Sequence, residues 1–157
     1  MPHEAPFEMQ YTLQWVNKTS CHAPETIWLL NNPVTSNARG WGLDKLGSSV
    51  NPLDANLSST TSACPIGHTC GVHLHAVGEA GAVYQGTEGA LRLQSLDSML
   101  VSVGNPLPAP TPLVTPDPLG GVHFSLVNNI WNTNYPEFFP FREGDENSRY
   151  RFLLQYS

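Results

Sequence analysis

Charge is scarce in this sequence. Asp, Glu, Lys and Arg make up 13% of its 157 residues, about half the roughly 25% of an average soluble domain. Only 7 are Lys or Arg against 13 Asp or Glu, a formal net charge of -6, so the basic patch of a nucleic-acid footprint is missing. No apolar run approaches the roughly 18 residues of a membrane-spanning helix, and no stretch carries the apolar period of an amphipathic helix. Cysteine is limited to Cys21, Cys64 and Cys70, an odd count that does not make a disulfide framework. The opening "MPHEAPFEMQ" lacks the basic and apolar regions of a signal peptide. Either the chain stays inside the cell or its natural N-terminus lies upstream; nothing else in the sequence sets a compartment. There is no Gly-x-Ser-x-Gly elbow, phosphate-binding loop or dinucleotide fingerprint.

What is abundant is turn chemistry, with 13 Gly and 14 Pro, beside 40% hydrophobic residues. This is enough apolar surface for one domain with a core, and the turn formers indicate a strand-rich, loop-rich chain. Phe7, Met9, Tyr11, Leu13 and Trp15 alternate with Glu8, Gln10, Thr12 and Gln14, the period of two of a half-buried antiparallel strand. Thr26–Leu30 reads as a buried strand. Residues 35–63 read as a long irregular crossing with one short element near Trp41–Leu46. Short strands are expected at Val72–Val77, Ala82–Gln85, Leu91–Ser95 and Met99–Val103. The stretch 105–121, "NPLPAPTPLVTPDPLGG", holds six prolines and reads as a semi-rigid intradomain loop rather than a central strand. Val122–Asn128 and Tyr150–Tyr156 close the pattern. The expectation is all-β: one antiparallel β-sandwich over residues 1–157 with long irregular loops, a barrel being the alternative.

Three places carry chemistry. His73 and His75 in "GVHLHAVGE" would share one face of a strand, a spacing that suits a two-His metal site with Glu79 as a third ligand and His68 or His123 as further candidates; they equally suit the polar side of a strand with no metal. Cys64 and Cys70 flank His68 in "CPIGHTC"; a small disulfide loop, free thiols or half a zinc site all fit. "NNIWNTNYPEFFPF", residues 128–141, holds four Asn, one Trp, one Tyr and three Phe. Aromatic faces stack on sugar rings and Asn amides serve hydroxyls as donors and acceptors. Asn129, Trp131, Asn132, Asn134 and Tyr135 are therefore candidate carbohydrate-binding residues; the other reading has the aromatics plugging one end of the sandwich and the amides capping turns. Carboxylates for sugar chemistry exist (Asp44, Asp54, Glu79, Asp97, Glu137, Asp145), but spacing pairs none of them.

"WGLDKLGSSVNPLD", "HLHAVGE", "LQSLDSMLVSVG", "GGVHFSLVNNIWNTNYP" and "RYRFLLQY" resemble, in this order, the C-terminal β-rich part of proteins related to family 38 glycoside hydrolases, in an uncharacterised branch of that superfamily. The likeness spans most of residues 26–156, and its most specific part is the pair "NNIWNTNYP" and "RYRFLLQY". It implies an accessory sandwich beside an α-mannosidase-like catalytic barrel. In that family the nucleophilic Asp and the zinc ligands belong to the barrel. No catalytic residue and no cofactor are thus implied for this chain, zinc being expected in a separate catalytic domain. The implied partners are carbohydrate and a catalytic barrel, in cis or in trans, with no nucleic acid and no membrane. Residues 128–136 match one family motif, and His73, His75 and Gly78 match another. Two rivals stand beside this reading: a stand-alone carbohydrate-binding module, and a small β-barrel enzyme with a metal on His73 and His75.

Overall fold

The computed structural model describes residues 6–19, 25–54, 74–106, 115–129, 144 and 146–157. Ten strands run through them: β1 (Phe7–Trp15), β2 (Glu25–Asn31), β3 (Trp41–Lys45), β4 (Ser48–Val50), β5 (Leu74–Ala76), β6 (Ala82–Gly86), β7 (Gly89–Ser95), β8 (Leu100–Val103), β9 (Val122–Asn129) and β10 (Ser148–Tyr156). They form a six-stranded sheet in the order β1-β10-β7-β6-β3-β4 and a four-stranded sheet in the order β2-β9-β8-β5. All pairings are antiparallel. Two separate sheets sharing one core make a sandwich and exclude the barrel alternative.

Cross-strand partners share a face, so the register writes out the core. One row crosses the six-stranded sheet through Phe7, Tyr156, Leu91, Tyr84 and Trp41, and the next through Met9, Leu154, Leu93, Ala82 and Leu43. From the four-stranded sheet Val101, Val103, Val122, Phe124 and Leu126 face them, all buried. Phe124 meets Phe152 edge-on at 5.5 Å, and Phe152 stacks on Tyr11 at 5.1 Å. Tyr11 also donates to Asn31 Oδ1 at 2.8 Å, tying β1 to β2 across the sandwich.

The apolar face of β1 is less covered than its alternation suggests. Tyr11, Leu13 and Trp15 pack on the core, but Phe7 and Met9 remain 53% and 41% exposed. Alternation reports which face a side chain takes; it says nothing of how far the opposite sheet reaches. Thr26–Leu30 is likewise half-buried rather than buried, because β2 is a sheet edge. Residues 35–63 are more regular than expected as far as Asp54: β3 and β4 form a hairpin around Leu46 and Gly47, both with positive φ (55° and 87°), as a tight two-residue hairpin turn requires. The Pro-rich stretch contains a 3-10 turn at Pro118–Gly120, capped by the Asp117 carboxylate; its residues 107–114 lie outside the described ones.

Two carboxylates pin loops to the six-stranded sheet. Glu88 accepts from the Tyr84 hydroxyl at 2.7 Å and from the Ser36 amide at 2.6 Å, the Tyr84 bond foremost in holding its pKa at about 2, below its ordinary 4.5. Asp97 accepts from Arg151 Nε, Nη2 and backbone N at 3.0, 2.7 and 2.8 Å, and the guanidinium holds it at about 2. A carboxylate with a depressed folded-state pKa contributes stability above its unfolded pKa, and that stability is lost as pH falls through the folded value. The melting temperature should therefore drop between pH about 4.5 and pH about 2. Glu88→Gln should flatten part of this drop; a pH profile identical to that of the wild type would show that the Tyr84–Glu88 contact is not held in solution.

Candidate functional site

The first two residues of the Asn- and aromatic-rich segment, Asn128 and Asn129, lie at the end of β9. β9 ends at Asn129, whose backbone pairs with Glu25 at the start of β2, while Asn128 pairs with Thr26. Trp131, Asn132, Asn134 and Tyr135 lie outside the described residues, as does the side chain of Asn129. What the structure supplies is the rim that carries them. On this rim β1 ends and β10 begins, Trp15 lying opposite Ser148.

Backbone and side-chain bonds lock the rim together. Lys18 N donates to Glu146 O at 3.0 Å and Asn17 N to Asn147 Oδ1 at 3.2 Å, with Asn17 in the left-handed conformation (φ 56°) that Asn tolerates better than most residues. Lys18 Nζ meets Glu25 Oε2 at 2.7 Å in a largely shielded pair. The Trp15 and Tyr150 rings lie 5.3 Å apart. The Tyr150 hydroxyl donates to Leu126 O at 2.6 Å, joining the two sheets three residues before β9 ends. Burial raises the Tyr150 pKa, so the phenol remains a neutral donor. A paired lysine, a paired carboxylate and a committed phenol offer positioning and hydrogen bonding; the described rim groups contain no base poised beside a nucleophile.

The histidines separate onto two faces. His75 pairs with Val101, a core residue, and is only 3% exposed, so it points into the sandwich rather than to a polar strand face. His123 pairs with Ser102, which alternates with Val101 and Val103 and faces outward. His123 therefore sits on the opposite side of the sheet from His75 and does not join it as a ligand. Among the described residues its buried Nδ1 has no hydrogen-bond partner, and burial lowers its pKa, leaving a neutral imidazole at pH 7. Glu79 is exposed in the turn before β6. Among the described residues no group of three or more His, Cys, Asp or Glu could hold a metal ion. His73, His68, Cys64 and Cys70 lie outside the described residues. Asp44, named above among the carboxylates, is a turn anchor: it accepts from the amides of Gly47 and Ala80 at 2.8 and 2.9 Å, the Ala80 bond foremost in lowering its pKa.

A second polar surface was not legible in the sequence. On the outer face of the six-stranded sheet, Gln10, Leu153 and Gln94 form one row and Glu8, Gln155 and Arg92 the next. Beside them lies a hollow of about 330 Å³ lined by Gln10, Thr12, Leu96, Arg151 and Leu153. Amide, hydroxyl and guanidinium groups around leucines suit a polyhydroxylated ligand. The only advance signal was Leu153, an apolar residue on the polar side of β10.

In comparisons with known proteins, no family model, no curated protein and no solved structure matches this chain.

Proposed function

We propose that this chain is a non-catalytic β-sandwich domain of a family-38-like glycoside hydrolase, one that supports a catalytic barrel and contacts its sugar substrate from the β9–β10 rim. One observation carries the reading. Of the two most specific motifs of the resemblance, "NNIWNTNYP" begins on the last two residues of β9 and "RYRFLLQY" lies within β10, and these are interior strands of the two sheets that meet through Phe124 and Phe152. A motif on the core of the sandwich speaks for the fold, and its continuation past Asn129 speaks for a ligand-facing segment on a braced rim.

The purified chain should then be inert on aryl mannosides and should raise the activity or stability of a co-expressed barrel encoded beside it. Turnover by the pure chain, retained through repeated purification, would refute the non-catalytic assignment. Trp131→Ala should weaken sugar affinity by about 1–3 kcal/mol, the scale of a stacking anchor. Calorimetry of the complex with mannosides reads this directly; an unchanged affinity removes Trp131 from the site.

The outer-face hollow favours a second reading, a stand-alone carbohydrate-binding module. In that case sugar binding would persist in Trp131→Ala and fail in Gln10→Ala.

A further inference from the structure

A sandwich has four edge strands, and each is a template for pairing unless something blunts it. Here β4 and β5 are three residues long. β2 carries a register break between Ile27 and Trp28. β1 has none of these devices. It runs nine residues, pairs with β10 without a break and contains no Pro, Lys or Arg. Its single charge, Glu8, is held by Gln155 Nε2 at 2.9 Å and Gln10 Nε2 at 3.2 Å. Among the described residues nothing pairs with its outer side. Its apolar face ends in an uncovered corner, with Phe7, Met9 and Tyr156 at 53%, 41% and 42% exposure.

We infer that β1 is a dimerisation strand, adding antiparallel to β1 of a second copy so that the two six-stranded sheets become one continuous sheet. The sequence of β1 selects a second copy as occupant because it is self-complementary. In the antiparallel register that centres Tyr11 on Tyr11 of the other copy, Phe7 falls opposite Trp15 and Met9 opposite Leu13, while Glu8 faces Gln14 and Gln10 faces Thr12. Apolar meets apolar on one face, and on the other the Glu8 carboxylate meets an amide and the Gln10 amide meets a hydroxyl. The exposed Phe7 and Met9 gain partners, and no two like charges meet.

Sedimentation of the 157-residue chain tests this, with Gln10→Glu/Thr12→Glu as the variant. That pair sets carboxylates opposite one another across the proposed two-fold, whereas within one chain residue 12 faces Arg151 and residue 10 faces Leu153, so the fold should survive. The wild type is expected to be dimeric at high micromolar concentration, and the variant to associate about tenfold more weakly or worse with unchanged circular dichroism. Amide exchange of the wild type, which needs no variant, should show alternate β1 amides protected at high concentration and released on dilution. A chain monomeric throughout, or a dimer with no concentration-dependent protection in β1, overturns the inference.

Discussion

Phe124→Ala is expected to lower the stability of this fold by about 3–5 kcal/mol. Phe124 is 0% exposed. It sits between Leu29 of β2 and Val101 of β8 in the register of the four-stranded sheet, and its ring reaches across to Phe152, which in turn stacks on Tyr11. Truncating it removes the contact through which one sheet touches the middle of the other. The flanking side chains are held by three different strands, so the space left cannot readily collapse. A domain of this size has a total stability of about 5–15 kcal/mol, so the variant should melt far below the wild type or fail to accumulate. Urea denaturation with an unchanged slope would read the difference. Trp15→Ala provides the contrast. Trp15 lies in the same apolar alternation but is only half-buried, and its loss should cost less, about 1–3 kcal/mol. If Trp15→Ala proves as costly as Phe124→Ala, the core is centred on β1 rather than on the Phe124–Phe152 contact.

These two aromatics also mark how far the fold can be read from the chain. β1, β9 and β10 were legible because apolar and polar residues alternate along them, as they do where a strand has two different environments. The same rule misleads where both faces are covered. His123 and Ser125 lie on the polar side of β9, yet they are 7% and 8% exposed. The β3–β4 hairpin was hidden by its turn, since Leu46-Gly47 lacks the Asn or Asp that usually announces a positive φ at the first turn position. For the candidate site, local chemistry singled out the Asn- and aromatic-rich run, and the structure adds the rim on which its first two residues lie. The braces of that rim were invisible beforehand. Asn17 and Asn147 lie 130 positions apart, and Asp97 and Arg151 54; no periodicity encodes such pairings. The His73–His75 spacing illustrates the converse. It points to a shared strand face, but cannot say that the face of His75 is the core; His73 lies outside the described residues.

The turn into β6 carries the second large expectation. Gly81→Ala should cost about 3 kcal/mol or more, summed from a left-handed backbone and a steric clash. Gly81 has φ +70°, and a Cβ there would fall far inside contact distance of the Leu93 carbonyl oxygen and 3.1 Å from the Cα of Gln94. Both obstacles are backbone of a central strand, which no rotamer change can move. The glycine is also bonded in place: its N–H donates to Gly78 O at 3.0 Å and its carbonyl accepts from Asp44 N at 2.9 Å, so relaxing the clash would disturb the β3 connection as well. Gly47 is the internal control. It too has positive φ, at 87°, but a Cβ there meets nothing within 4 Å. Gly47→Ala should therefore cost only the conformational part, about 1–2 kcal/mol. Thermal or urea melts of the two variants should separate them clearly. Equal losses would mean that the β6–β7 approach at Gly81 is looser than described, and with it the row Leu43–Ala82–Leu93 that forms the floor of the core.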